Sequence, residues 1–157
     1  MRYMSQSTIR DFRKTLRKFE RLIIDQQKYV SCCSGVTIAQ CHTLLEIEHL
    51  GRTTTAELAG RMDLDKSTLS RTIDGLVNIG LVKRETHRSD RRFIQLTLST
   101  QGRKVCHEIN TENDHYYSKV MEAIPANIRG QVLEGFDHLV NALISSDNEH
   151  CDVKPAG

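Results

Sequence analysis

Apolar residues recur at Ile9, Phe12, Leu16, Phe19 and Ile23, in alternating steps of three and four. That is a heptad-like seam along one side of a helix. The spacing predicts a first helix over about residues 7–29, then a break at 31–35. A second helix is expected over 37–49, with Ile38, Cys41, Leu44, Leu45 and Ile47 at its apolar positions and Gly51 as its stop. Thr54-Thr55-Ala56-Glu57 reads as a capping box: Thr54 can accept from the Glu57 amide while Glu57 reaches back. It opens a short third helix that buries Leu58 and Met62. After a turn at Met62-Asp63-Leu64, Asp65 is a good N-cap for a fourth helix, with Leu69, Ile73, Leu76 and Val77 inward and Gly80 at its end. Residues 81–86 and 93–98 read as two strands of a hairpin. Ser99 caps a fifth helix containing Val105, Ile109, Tyr116 and Val120. Pro125 suits the first turn of a sixth, with Ile128, Val132, Phe136, Leu139 and Leu143 inward. Beyond Ser145 the sequence is polar and reads as a flexible tail.

The expected fold is therefore mainly α with a small β-wing: a winged helix-turn-helix over residues 37–99. An N-terminal helix and a cysteine-containing break (1–36) precede it. C-terminal helices (100–145) and a tail (146–157) follow. The terminal helices carry more apolar face than the winged module can cover. A second copy is the simplest partner, so a homodimer is expected, with packing of these helices on one another as the alternative.

The net charge of +2 says little, but its distribution changes the picture. Arg10, Arg13, Lys14, Arg17, Lys18 and Arg21 crowd the first helix, and five more Lys/Arg fall between Lys83 and Arg92. Basic clusters in a balanced chain are the footprint of a phosphate-binding surface. Aromatics are only 5% of residues, with no Trp, which favours duplex over stacked single-stranded nucleic acid. No N-terminal region resembles a signal peptide and no run approaches a membrane span, so a cytoplasmic protein with reduced cysteines and no membrane partner is expected.

The fourth helix opens Asp65-Lys66-Ser67-Thr68-Leu69-Ser70-Arg71. With Leu69 and Ile73 inward, Lys66, Ser67, Thr68, Ser70 and Arg71 lie outward or at the N-terminal end. Short hydroxyls let a helix sit deep in a major groove, and Arg71 is suited to a bidentate guanine contact. The wing tip offers Arg88, Arg91 and Arg92, whose guanidinium groups fit a narrow minor groove. Asp90 among them is either a brace for the wing or an ordinary turn residue.

These segments, with Leu76-Val77-Asn78-Ile79-Gly80-Leu81-Val82-Lys83-Arg84, Asp90-Arg91-Arg92 and Leu96-Thr97-Leu98-Ser99-Thr100-Gln101-Gly102-Arg103, resemble the MarR family of bacterial regulators. The resemblance covers the winged core motif by motif and the flanking helices by order and length. It implies a triangular homodimer, held by the first, fifth and sixth helices, whose winged lobes straddle a pseudo-palindromic operator in double-stranded DNA. It also implies that Arg92 is the wing-tip arginine and Asp90 its partner. Most such regulators repress, often their own operon, and release DNA when a small phenolic ligand or an oxidant reaches the region between the lobes.

Cys32, Cys33 and Cys41 are not part of that family pattern. Three thiols within ten residues admit a soft site for a thiophilic metal or metalloid, or an oxidation switch. They equally admit thiols that only fill space. A Cys32–Cys33 disulfide would be strained, so Cys41 or another subunit is the better resolving partner. Cys41, near a helix N-terminus, would have its thiolate favoured by the helix dipole. No Gly-rich phosphate loop, nucleophile elbow, HExxH or CxxC motif is present, which argues against an enzyme. A winged helix serving a protein partner and a thiol-based redox enzyme remain the alternative readings.

Overall fold

The computed structural model describes residues 5–86 and 94–150, the last four of these by their backbone. The elements are α1 (Gln6–Cys33), α2 (Ile38–Leu50), α3 (Thr55–Met62), α4 (Lys66–Asn78), strands β1 (Val82–Thr86) and β2 (Ile94–Leu98), α5 (Thr100–Ala123), a 3-10 turn (Ala126–Ile128) and α6 (Arg129–His150). The chain is mainly helical with one small antiparallel sheet, as the pattern predicts. Two compact units divide it, Met1–Asn113 and Asp114–Gly157.

The first unit is organised by side chains with no exposed surface. Leu44 and Ile47 of α2, Leu58 of α3, Leu69, Ile73 and Leu76 of α4, Leu96 of β2 and Ile109 of α5 are each 0% exposed. Burying one such side chain contributes about 1.5–3 kcal/mol. Val77 and Met62, expected inward, pack on this core only partly buried. Helix starts are set locally. Thr37 and Thr54 each form a full capping box, with Gln40 and Glu57. The Thr37 box has the same local signal as the Thr54 box, a Thr three residues before a Gln or Glu.

β1 pairs with β2 from Val82↔Leu98 to Thr86↔Ile94. Leu81, expected in the strand, instead donates its N–H to Leu76 O at 2.9 Å and closes α4. Gly80, at φ +77°, makes the left-handed turn that separates the two. Thr53 adds an isolated bridge to Leu96, so β2 is held on both sides. At the start of α5 the Ser99 hydroxyl accepts from Gly102 N (2.9 Å) and donates to Gly80 O (2.7 Å). A Cβ on Gly102 would lie 2.1 Å from Leu81 O, so only glycine lets α5 leave the sheet this closely.

Four further expectations need correction. The first helix does not break at residue 31: α1 continues through Cys33. Val30 (2% exposed) and Ser31 (5% exposed) are buried, and that burial overrides the poor helix propensity of the Ser-Cys-Cys run. Pro125 caps the 3-10 turn rather than opening α6. Arg129 then begins α6 and donates to Ile124 O (2.9 Å) and Glu122 O (3.2 Å), tying off the end of α5.

The third correction concerns the inward positions. Ile128, Val132, Phe136 and Leu143 are all exposed, and Leu139 is half-buried. No described residue beyond Ile109 is buried. The polar stretch after Ser145 is helical as far as His150, and along it the Ser145 and Ser146 hydroxyls donate to Asn141 O and Ala142 O at 2.9 Å. Residues 151–157 lie outside the described range. No helix among the described residues is long and apolar enough to cross a membrane.

Candidate nucleic-acid interface

Asp63 sets the angle between α3 and α4. It takes the left-handed conformation (φ 50°, ψ 45°) at the end of α3, a conformation that Asp tolerates better than most residues. Leu64 N then donates to Ala59 O at 3.1 Å, and Asp65 starts α4. This is a helix-turn-helix. α4 turns Leu69, Ile73 and Leu76 into the core, so the opposite side must face outward.

That outer side carries the residues expected there. Lys66, Ser67, Thr68 and Arg71 are exposed and Ser70 is half-buried. Asp65 Oδ1 accepts from the Ser67 hydroxyl (2.6 Å) and from Thr68 N (2.8 Å). These bonds, Ser67 first and Thr68 next, hold the Asp65 carboxyl well below the usual carboxylate range. They also make Ser67 an acceptor toward an incoming group, because its own proton is engaged. Thr72 bends back to Thr68 O at 3.2 Å. Lys66 and Arg71 form no ion pair among the described residues, which leaves both cations available to a ligand.

The hairpin is anchored to this helix by a contact the sequence reading missed. Arg84 Nη2 of β1 donates to Asp74 Oδ1 of α4 at 2.6 Å. Arg84 therefore positions the base of the wing rather than adding a free cation to it. Arg61 pairs likewise with Glu46, joining α3 to α2. Neither pair has a sequence signal, since the partners lie on different elements. Below the hairpin is a cleft of about 370 Å³, with Ile47 and Leu98 among its apolar lining and Arg52, Lys83, Arg103, Glu48 and Glu85 around it. The wing-tip candidates Arg88, Asp90, Arg91 and Arg92 lie outside the described residues.

A model of the MarR family matches residues 36–94, the stretch that holds α2, α3, α4 and β1. Residues 36–94 form a MarR-family domain. Among relatives, the chain is 28% identical to the uncharacterized HTH-type transcriptional regulator YsmB of Bacillus subtilis (strain 168), over 73% of this chain and 79% of that protein. Among solved structures it is similar to RV1404 from Mycobacterium tuberculosis (TM-score 0.74, 22% identity, 90% of this chain and 97% of that one). It is also similar to a MepR mutant of S. aureus bound to an oligodeoxyribonucleotide (TM-score 0.63, 16% identity, 84% and 97%). At these identities the two structures show a shared fold.

The three neighbouring cysteines do not form one site. Cys32 and Cys33 are exposed in the last turn of α1, whereas Cys41 is buried in α2. Among the described residues, no group of three or more His, Cys, Asp or Glu could hold a metal ion. The expectation that the helix dipole activates Cys41 also fails. Burial pushes its thiol up, and the neighbouring Ser31 hydroxyl offsets only part of that rise. Cys106 of α5, which has no partner nearby in sequence, is pushed up to about 12, by burial first and then by the Glu48 carboxylate and the Cys41 thiol. These two are core thiols. The Cys33 thiol beside Tyr29 raises that phenol, and Glu112 acts in the same direction.

Proposed function

We propose that this protein is a transcriptional regulator that binds duplex DNA through α4. The observation that carries the reading is the capped outer face of α4. Lys66, Ser67, Thr68 and Arg71 stand exposed on a helix whose other side is locked into the core, within a MarR-family domain. Arg71 supplies the base-reading contact. Lys66 and the hydroxyls hold phosphates and fix register. Arg88, Arg91 and Arg92 would extend the contact into the minor groove, with Asp90 bracing the loop. The DNA-bound MepR structure, which shares the fold, supports this mode.

The regulator acts as a homodimer on a pseudo-palindromic operator, and represses where that operator overlaps a promoter. Support for the second copy comes from apolar side chains left on the surface. Ile9 (46%) and Phe12 (43%) of α1 and Leu133 (53%) and Ile144 (58%) of α6 are exposed. Half-site spacing must match about one helical turn, roughly 34–36 Å, so a modest change between lobes abolishes binding. An anionic effector, such as a phenolate, has a place in the cleft beneath the hairpin, where Arg52, Lys83 and Arg103 adjoin Ile47 and Leu98. A thiol signal would enter through the exposed Cys32 and Cys33, not through Cys41.

The test is fluorescence anisotropy of the full chain on DNA flanking its own gene, against a scrambled duplex. Tighter binding to the native duplex, with Arg71→Ala costing about 1–3 kcal/mol and relaxing specificity at one base position, is the expected result. Equal binding to both duplexes across the whole flanking region would rule out a sequence-specific regulator of that locus.

A further inference from the structure

α1 has two chemically distinct sides. Ile9, Phe12, Leu16 and Phe19 lie along one of them. Arg10, Arg13, Lys14, Arg17, Lys18 and Arg21 follow one another at steps of three, one, three, one and three. At 3.6 residues per turn those steps confine all six cations to a single strip on the opposite side. All six are exposed, and none forms an ion pair among the described residues. α1 holds seven Lys/Arg against three Asp/Glu, while the entire chain is only +2. The cationic excess of the protein is therefore concentrated on this one helix.

Six unpaired like charges on one strip repel one another, and a solvated helix has no need of that arrangement. A regular polyanion relieves it. The strip runs for roughly 17 Å, and laid along a duplex it spans roughly five phosphates of one strand. It contains no aromatic side chain, so it cannot stack bases, and Lys14, Arg17 and Arg21, with Glu20 beside them, border an open groove along the helix.

We propose that the basic strip of α1 is a second phosphate-binding surface for duplex DNA, additional to α4 and the wing. This rests on the reading of the protein as a DNA-binding regulator. The strip grips backbone alone, so it raises affinity for any duplex long enough to reach it and adds nothing to sequence discrimination. The regulator thereby covers more DNA than its operator, and neighbouring sequence of any kind strengthens its hold.

The experiment compares the full chain with the Arg13→Gln/Lys14→Gln/Arg17→Gln/Arg21→Gln variant. These residues are exposed and off the apolar seam, and unchanged circular dichroism and sedimentation confirm that the variant is folded and associated as before. Binding is titrated against salt on an operator-length duplex and on the same operator with long flanks. On the flanked duplex the variant is expected to bind at least about tenfold more weakly. The log–log salt slope should be shallower by roughly three, and the native-to-scrambled ratio unchanged. Arg71→Ala, run beside it, should lose the ratio and keep most of the slope. An unchanged slope on the flanked duplex, with wild-type binding intact, overturns the proposal. A changed native-to-scrambled ratio overturns it too, since the strip would then be reading sequence. If the variant keeps its DNA slope but loses binding to phosphatidylserine vesicles, the strip serves a membrane surface and the proposal also fails. Wild-type protein that binds no duplex at all would overturn the regulator reading as well, and is distinguishable from the other outcomes.

Discussion

In the unit that ends at Asn113, the apolar faces of α2, α3 and α4 close on one another until Leu44, Leu58 and Leu69 are 0% exposed. In the unit that follows, Val132, Leu133, Val140, Leu143 and Ile144 of α6 remain between 38% and 58% exposed. The periodicity that marks these seams in the sequence is of the same kind. A helical apolar period therefore says which face avoids water, not which molecule supplies the cover. The winged unit finds its cover within the chain. The C-terminal helix, as one chain, does not.

The most severe test of this contrast is Gly102→Ala. Its new Cβ would stand 2.1 Å from the Leu81 carbonyl, a backbone atom that cannot swing aside. The variant should lose about 3 kcal/mol or more in urea unfolding, or fail to fold. A loss under about 0.5 kcal/mol would show that α5 does not need its close approach to the hairpin. The opposite behaviour is expected of Leu133→Ser/Ile144→Ser. These changes remove no internal core, so the secondary structure of the chain should survive. Sedimentation should instead show weaker self-association, and an unchanged dimer would remove the α6 seam from the interface.

A third expected effect separates charge from fold. Asp65 is a carboxylate stabilised by the bonds it accepts from Ser67 and Thr68, so its folded pKa lies below its unfolded one. Its contribution is complete above the unfolded value of about 3.9 and disappears as pH falls through the folded value. Asp65→Ala should lower Tm at pH 7, and the gap to wild type should narrow below about pH 4. A gap that stays constant into acid would mean that the carboxylate charge is not what caps α4. The smallest effect belongs to Arg84→Met. Its pair with Asp74 is partly exposed (37% and 51%), so the loss of stability should stay within about 1 kcal/mol. If the pair positions the wing, the same variant should still weaken DNA binding. Full affinity would leave Arg84 a surface ion pair and nothing more.

Most of the winged module was legible in advance because its signals are local. Thr54 with Glu57, Asp65 as N-cap, Gly80 as the turn and Ser99 before Gly102 act within about four residues of one another. Side-chain oxygens that accept from nearby backbone N–H groups, and a left-handed φ at Gly80, fix their roles. The outward face of α4 followed from Leu69 and Ile73 by helical geometry. Cysteine behaviour was not legible, because spacing in sequence does not report burial. Cys41 lies within ten residues of Cys32 and Cys33, yet one is a core thiol and the others are exposed. The end of α1 is hidden from the sequence for the same reason: Val30 and Ser31 are buried by contacts that propensity cannot register.

The amino-acid sequence by itself determined the element order, the helix starts, the two-sidedness of α1 and the polar face of α4. All of these depend on side chains a few residues apart and on the 3.6-residue period of the helix. Only the tertiary structure decided that Arg84 is bound to Asp74, that Thr53 braces Leu96, that Gly102 admits the Leu81 carbonyl, and that Cys106 stands in the field of Cys41 and Glu48. Each of these joins residues from different elements. Their meeting is set by how the elements close on a shared core, a free energy summed over the chain and not carried by any local run of residues.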